Sequence, residues 1–164
     1  FRRVLFRSKD SFRVAQRILR AEDNLSYVKN THFVNNEREM SRRELSNAQQ
    51  KIDDLFVLRM WASFERWLIN RFLEYVGEEC QNSEYAYKEY LSKQIEYFRI
   101  DELLDLLKNR HDPELVGQLK QIKKYRDWVA HGHGPEKRPA ACNPDDCYTR
   151  LSRFYASFTQ PECQ

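Results

Sequence analysis

Arg126, Asp127 and His131 fall within six consecutive residues, Arg126-Asp127-Trp128-Val129-Ala130-His131. An imidazole takes or gives a proton near neutral pH, and a guanidinium stabilises negative charge as it develops. Together they could work at a phosphodiester, with His131 as acid or base and Arg126 on the phosphorane. Asp127 lies one helical turn before His131. Its carboxylate could accept a hydrogen bond from the ring, orient it and favour its charged form. The negative end of the helix dipole acts in the same direction. Lys120 and Lys124 share that face, and His133, two residues further on, could touch a bound substrate. From Lys120 to Arg138 there are six basic residues against two acidic ones, a local charge of +4. Such a patch with a titratable histidine suits phosphate. One geometric condition follows. Arg126 and His131 are five apart, about 140° around an ideal helix. They converge only through the long arginine side chain and a relaxed helix end, or across a two-fold axis joining two copies.

The elements that must carry these residues are helices. From Lys9 to His111 there is one glycine, Gly77, and no proline, and nothing alternates with period two. The pattern predicts an all-α fold, a compact bundle of about five helices. The first spans about Ser11 to Asn30 and the second about Asn36 to Val76, with Gly77 as its C-cap. The third spans about Ser83 to Tyr97, with Asp101 to Asn109 as its continuation or as a separate short helix. The fourth starts at Asp112 as N-cap and Pro113, and stops at His131-Gly132. A loop rich in glycine and proline leads to the last helix, about Pro144 to Phe158.

Two charged residues interrupt apolar stripes. In the fourth helix Leu115, Leu119, Ile122 and Val129 fall within an arc of about 80°, and Arg126 lies inside it. In the second, Leu55, Leu58, Ala62, Ile69, Phe72, Leu73 and Val76 form the expected apolar face, with Glu65 among them. An inward charge is costly unless paired. Glu65 and Arg126 are therefore expected to meet, within the bundle or at a subunit interface, with Glu65 as buried polar support. Trp61, Trp67 and Trp128 read as packing anchors. Tyr85, Tyr87, Tyr90 and Tyr97 could stack bases but read as packed, and His32 and His111 receive no role.

The chain has 164 residues, long enough for one domain to bury about two thirds of its unfolded surface. Hydrophobic residues at 41% exclude bulk disorder. No apolar run approaches the ~20 residues of a membrane helix, and no signal peptide is seen, so a soluble, cytoplasmic protein is expected. The formal charge of +3 comes from the first eight residues, FRRVLFRS; without Arg2, Arg3 and Arg7, 25 basic residues face 25 acidic ones. That octapeptide is similar to a translated sequencing-library adapter. With no initiator methionine, the expectation is a non-native segment, 1–8, ahead of a single domain over 9–164. Cys80, Cys142, Cys147 and Cys163 have no C-x-x-C spacing and read as reduced structural thiols. The sequence carries no phosphate loop, nucleophile elbow or metal-ligand cluster, so neither metal nor cofactor is expected.

The run from Arg126 to His131, continued by Gly132, resembles the R-x4-6-H motif of HEPN domains, with Asp127 as the polar residue that commonly follows the arginine. Trp61-Ala62-Ser63-Phe64-Glu65 is similar to the preceding helix of some bacterial HEPN branches. The resemblance covers most of residues 10–160 but rests on about a dozen of them. It implies a metal-independent endoribonuclease in which the ribose 2′-hydroxyl attacks the adjacent phosphate and leaves a 2′,3′-cyclic phosphate. His131 would be the general acid or base, Arg126 the phosphate contact, and Asp127 would position one or both; Lys120, Lys124 and His133 would bind RNA. It further implies a homodimer with a composite RNA cleft, and a role as a toxin or antiviral effector restrained by an antitoxin or nucleotidyltransferase. Some members are inactive modules that bind a protein partner or nucleotide, and that is the alternative reading. A plain oligomerising scaffold ranks lower, because the second helix lacks sustained heptads.

Overall fold

The computed structural model describes residues 2–21, 29, 31, 33, 37–79, 89–90, 93–95, 97–132, 139–140 and 142–159. The chain is all-α, and no strand occurs among the described residues. The helices are α1 (Arg2–Arg20), α2 (Arg38–Glu79), α3 (Ile100–Leu107), α4 (Pro113–Ala130) and α5 (Pro144–Thr159). Two compact units, Phe1–Phe56 and Val57–Gln164, divide the chain within α2.

In the first unit Leu19 of α1 and Leu45 of α2 are buried, with Phe12, Ala15, Ile18 and Phe33 packed against them. The first helix begins at Arg2, inside the octapeptide set aside from the sequence, and ends at Arg20 rather than near Asn30. No glycine or proline interrupts this stretch, and Arg17 and Arg20 sit at the negative end of the helix dipole. The second helix, by contrast, runs past its expected stop. Gly77 lies within it and does not cap it, because a single helical glycine costs only about 1 kcal/mol, which neighbouring turns offset.

The second unit is a bundle around α4, which packs on both α3 and α5. Its core takes Val57, Met60, Trp61, Phe64 and Leu68 from α2 and Leu103, Leu104 and Leu107 from α3. From α4 come Leu115, Val116, Leu119, Ile122 and Tyr125, and from α5 Leu151 and Phe154. The buried face of α2 is thus rotated from the expected one: Leu55 is 62% exposed and Ala62 is exposed. This segment is apolar on several sides, so periodicity alone left two overlapping stripes, and the larger aromatic payload of Trp61 and Phe64 decides between them. Trp67 packs edge-on against Tyr155 at 4.4 Å and Phe158 at 5.1 Å. His111 closes this cluster, its ring 4.3 Å from that of Phe158 and its Nδ1 3.1 Å from Ser157 Oγ.

Residues 100–107 form a separate helix, opened by the Arg99 N–H, which donates to the Glu102 carboxylate, and by the Glu102 N–H, which donates to the Arg99 carbonyl. Of the tyrosines read as packed, Tyr90 and Tyr97 are exposed, and Tyr85 and Tyr87 lie outside the described residues. No helix among the described residues is long and apolar enough to cross a membrane.

Candidate functional site

The site is set by how α4 begins and ends. Asp112 accepts a hydrogen bond from the Glu114 N–H at 2.9 Å, and Pro113 takes the first turn, where its missing N–H costs nothing. The helix then runs unbroken to Ala130. His131 is its C-cap, with φ −87° and ψ 16°, and Gly132 follows at φ +72°, the left-handed conformation that glycine adopts without a Cβ penalty. The N–H groups of His131 and Gly132 donate to the carbonyls of Asp127 and Val129, both at 3.0 Å.

Arg126 points toward α2. Its Nη2 donates to Glu65 Oε2 at 2.9 Å and its Nη1 to Asp127 Oδ1 at 2.8 Å. The Glu65 side chain is 22% exposed and that of Arg126 30%, so the pair is neither dry nor a loose surface contact. On α2, Glu65 sits one turn beyond Trp61 and borders the buried stripe of Trp61, Phe64 and Leu68. A carboxylate there gains from a fixed guanidinium partner.

Asp127 has two cationic neighbours. Lys123 Nζ lies 2.7 Å from Asp127 Oδ2 and 3.0 Å from Asp101 Oδ2 of α3. Partial burial pushes the Asp127 carboxyl up, but hydrogen bonds from Lys123 and Arg126 outweigh it and hold its pKa below the usual value. For Lys123 burial works against the charge, yet the two carboxylates hold its pKa above the usual value. The Asp127 carboxylate is therefore committed to Lys123 and Arg126. The expected bond from the His131 ring is absent: that ring is exposed and makes no hydrogen bond among the described residues. Lys123 and Arg126 both reach Asp127 from within the helix.

Lys120 donates to Asp105 Oδ2 at 2.7 Å, while Lys124 is exposed and makes no ion pair among the described residues. Hydrogen bonds from Lys108 and Lys120 hold the Asp105 pKa below its usual value. Among the described residues, most of the basic side chains of this patch are paired with carboxylates. Lys120, Lys123 and Arg126 pair with Asp105, Asp101, Asp127 and Glu65, three cations against four carboxylates, while Lys124 stays exposed. A count along the chain missed the carboxylates that α2 and α3 contribute. Asp101 and Asp105 are the functional neighbours that sequence reading passed over. Their i,i+4 spacing on α3, opposite basic residues at similar spacing on α4, is the signal that could have found them. His133, Lys137 and Arg138 lie outside the described residues.

Structure thus joins Glu65, Arg126 and Asp127 in one network with Lys123. It leaves His131 at the helix end, on a different side of α4 from Arg126. A cavity of about 420 Å³ lies elsewhere in this unit, between Phe72 and Tyr75 of α2, Leu107, and Phe158 of α5, and none of Arg126, Asp127 or His131 lines it. No group of three or more His, Cys, Asp or Glu residues among those described is arranged to hold a metal ion. No protein-family model, curated protein or solved structure matches the chain.

Proposed function

We propose that this chain is a metal-independent endoribonuclease of the HEPN type, a toxin or defence effector that cleaves RNA through 2′-hydroxyl attack. The observation that carries the reading is the Arg126 side chain. It is held by Glu65 on one terminal nitrogen and Asp127 on the other, one and a half turns before an exposed histidine at the helix end. A guanidinium has five N–H donors, and these two bonds use two of them. Arg126 can therefore stay oriented and still donate to a phosphoryl oxygen, while an exposed His131 is open to a substrate proton. Both motif residues would serve one phosphate if two copies met across a two-fold axis, with Lys124 on the RNA backbone. Such an enzyme would act in the cytoplasm under the control of an antitoxin or nucleotidyltransferase.

A second reading has its own support. The carboxylate pairing of Lys120 and Lys123 and the double carboxylate hold on Arg126 also suit an inactive helical module that binds a protein partner or nucleotide. The test is incubation of the full chain with total cellular RNA in EDTA, beside His131→Ala and Arg126→Ala proteins. His131 is exposed, so its replacement should change stability by no more than the ~0.5 kcal/mol typical of surface sites. Cleavage by the parent alone, leaving cyclic-phosphate ends, supports the nuclease. Three folded and equally inert proteins leave the binding module.

A further inference from the structure

Two thiols sit at the entrance to α5. Asn143 caps this helix: the Asp146 N–H donates to Asn143 Oδ1 at 2.9 Å, and Asn143 Nδ2 donates back to Asp146 Oδ2 at 2.7 Å. With Pro144 as the first helical residue, Cys142 takes the position just before the cap and Cys147 the fourth position of the helix. These are the two positions of a hydrophobic staple, whose side chains pack on one another and fix the angle at which the chain enters the helix. Here both are cysteines, both are unpaired thiols, and both are buried, Cys142 at 6% exposure and Cys147 at 0%.

We infer that the Cys142–Cys147 staple is a peroxide-responsive dithiol, which oxidation converts from a packing contact into a disulfide across the N-terminus of α5. The capping bonds of Asn143 hold the two positions in register before any reaction. The two sulfurs also differ in character. The Cys142 thiol lies 3.8 Å from the Asn143 carbonyl, to which it donates. The Cys147 thiol beside it, helped by the Arg150 charge, holds the Cys142 pKa below that of an ordinary thiol, whereas the Cys142 contact and burial push that of Cys147 up. Cys142 is also the less buried. It is therefore the attacking sulfur.

The reaction balances as two steps. The Cys142 thiolate attacks one peroxide oxygen, the O–O bond breaks, hydroxide leaves and a sulfenic acid remains. The Cys147 sulfur then attacks the Cys142 sulfur, its proton passes to the departing hydroxyl, and water leaves as the S–S bond forms. Two thiols are oxidised and one peroxide is reduced. This inference is independent of the nuclease reading, since neither cysteine belongs to the Arg126 network.

The full chain carries the test in one fragment. Trypsin releases residues 138–150 as a single peptide holding both cysteines, because the Arg138–Pro139 bond resists cleavage. After exposure of the native protein to hydrogen peroxide, that peptide should be about 2 Da lighter, refuse alkylation, and regain two reactive thiols with dithiothreitol. In Cys147→Ser, Cys142 should be trapped as a sulfenic acid and captured by dimedone. In Cys142→Ser, oxidation of Cys147 should be at least roughly tenfold slower than ring closure in the parent. A circular dichroism melt confirms that each variant is folded. Two alkylatable thiols after peroxide treatment overturn the inference. So does oxidation of Cys142 to sulfinic acid without closure in the parent, or a reversed order of reactivity in the two serine variants.

Discussion

Replacing Glu65 by Gln asks how firmly the α2–α4 ion pair is built. The amide keeps the shape of the carboxylate and one acceptor oxygen 2.9 Å from Arg126 Nη2, but removes the charge. A hydrogen bond between charged partners contributes about 1 kcal/mol more than a neutral one. Exposures of 22% and 30% place this pair between exposed pairs, worth about 0.2–1 kcal/mol, and buried ones, which cost about 3–5 kcal/mol when one partner is lost. Arg126 keeps Asp127 at 2.8 Å, so it is not stranded, and the lower half of that interval applies. Glu65→Gln should cost about 1–2 kcal/mol, a melting temperature lower by roughly 2–6 °C. A double-mutant cycle of Glu65→Ala with Arg126→Ala, followed by urea unfolding, should give a coupling of about 1–2 kcal/mol. In 1 M salt it should fall by only a few tenths, because salt screens partly buried pairs weakly. A coupling under about 0.3 kcal/mol, or one that vanishes in salt, would refute the reasoning and make the contact an ordinary surface pair.

Three further outcomes follow from the same structure. Asp127 has a depressed pKa in the folded state, so its stabilisation is complete above the unfolded carboxylate pKa of about 3.9 and is lost as pH falls through the lower folded value. Stability measured from pH 6 to pH 2 should therefore drop at the acid end, and Asp127→Asn should make that drop shallower. Two glycines should respond with opposite signs: Gly117→Ala, in mid-α4 with open space at the Cβ position, should gain roughly 0.5–1 kcal/mol, whereas Gly132→Ala, at φ +72°, should lose about 1 kcal/mol by denaturant unfolding. Phe154 is wholly buried against Phe64 at 5.6 Å and Phe158 at 5.2 Å, so Phe154→Ala should cost about 3–5 kcal/mol, read as a large fall in the urea midpoint.

The parts of the fold legible in the sequence are those written in local chemistry. Asp112-Pro113 and His131-Gly132 bracket α4 to the residue, because a cap, a proline and a left-handed glycine each act on their own backbone. The Glu65–Arg126 contact was readable because a charge on an apolar stripe has few acceptable neighbours. The parts that were not legible depend on which surfaces meet. Nothing local distinguishes the Val57, Trp61, Phe64 face of α2 from the Leu58, Ile69, Phe72 side, and only packing against α4 and α5 does so. The charge on α4 failed for the same reason. Asp101 and Asp105 lie 22 and 15 residues from the lysines they neutralise, beyond any local window. His111 shows the converse: unremarkable beside a helix cap, it becomes a packed member of the Phe154–Phe158 cluster only when α5 arrives.

What the carboxylates do to Arg126 decides between the two functional readings, and the sign of one measurement separates them. If Glu65 and Asp127 hold the guanidinium in place for a phosphate, freeing it loses orientation, and binding of an anionic ligand weakens. If they merely satisfy a structural arginine, removing the Glu65 charge deletes a competitor and lightens the local negative field, so the same ligand binds more tightly. The test uses a short RNA with a 2′-deoxy substitution at the cleavage site, which cannot react, titrated into the parent and Glu65→Gln proteins at low salt. A difference of about 1 kcal/mol between charged and neutral hydrogen bonds corresponds to roughly fivefold in affinity. Roughly fivefold weaker binding, with Arg126→Lys weaker still because an ammonium cannot form the same fork, supports a positioned phosphate ligand. Fivefold tighter binding sinks that role and leaves Arg126 as the register pin between α2 and α4. The melting temperature falls in both cases, so stability alone cannot mimic either answer.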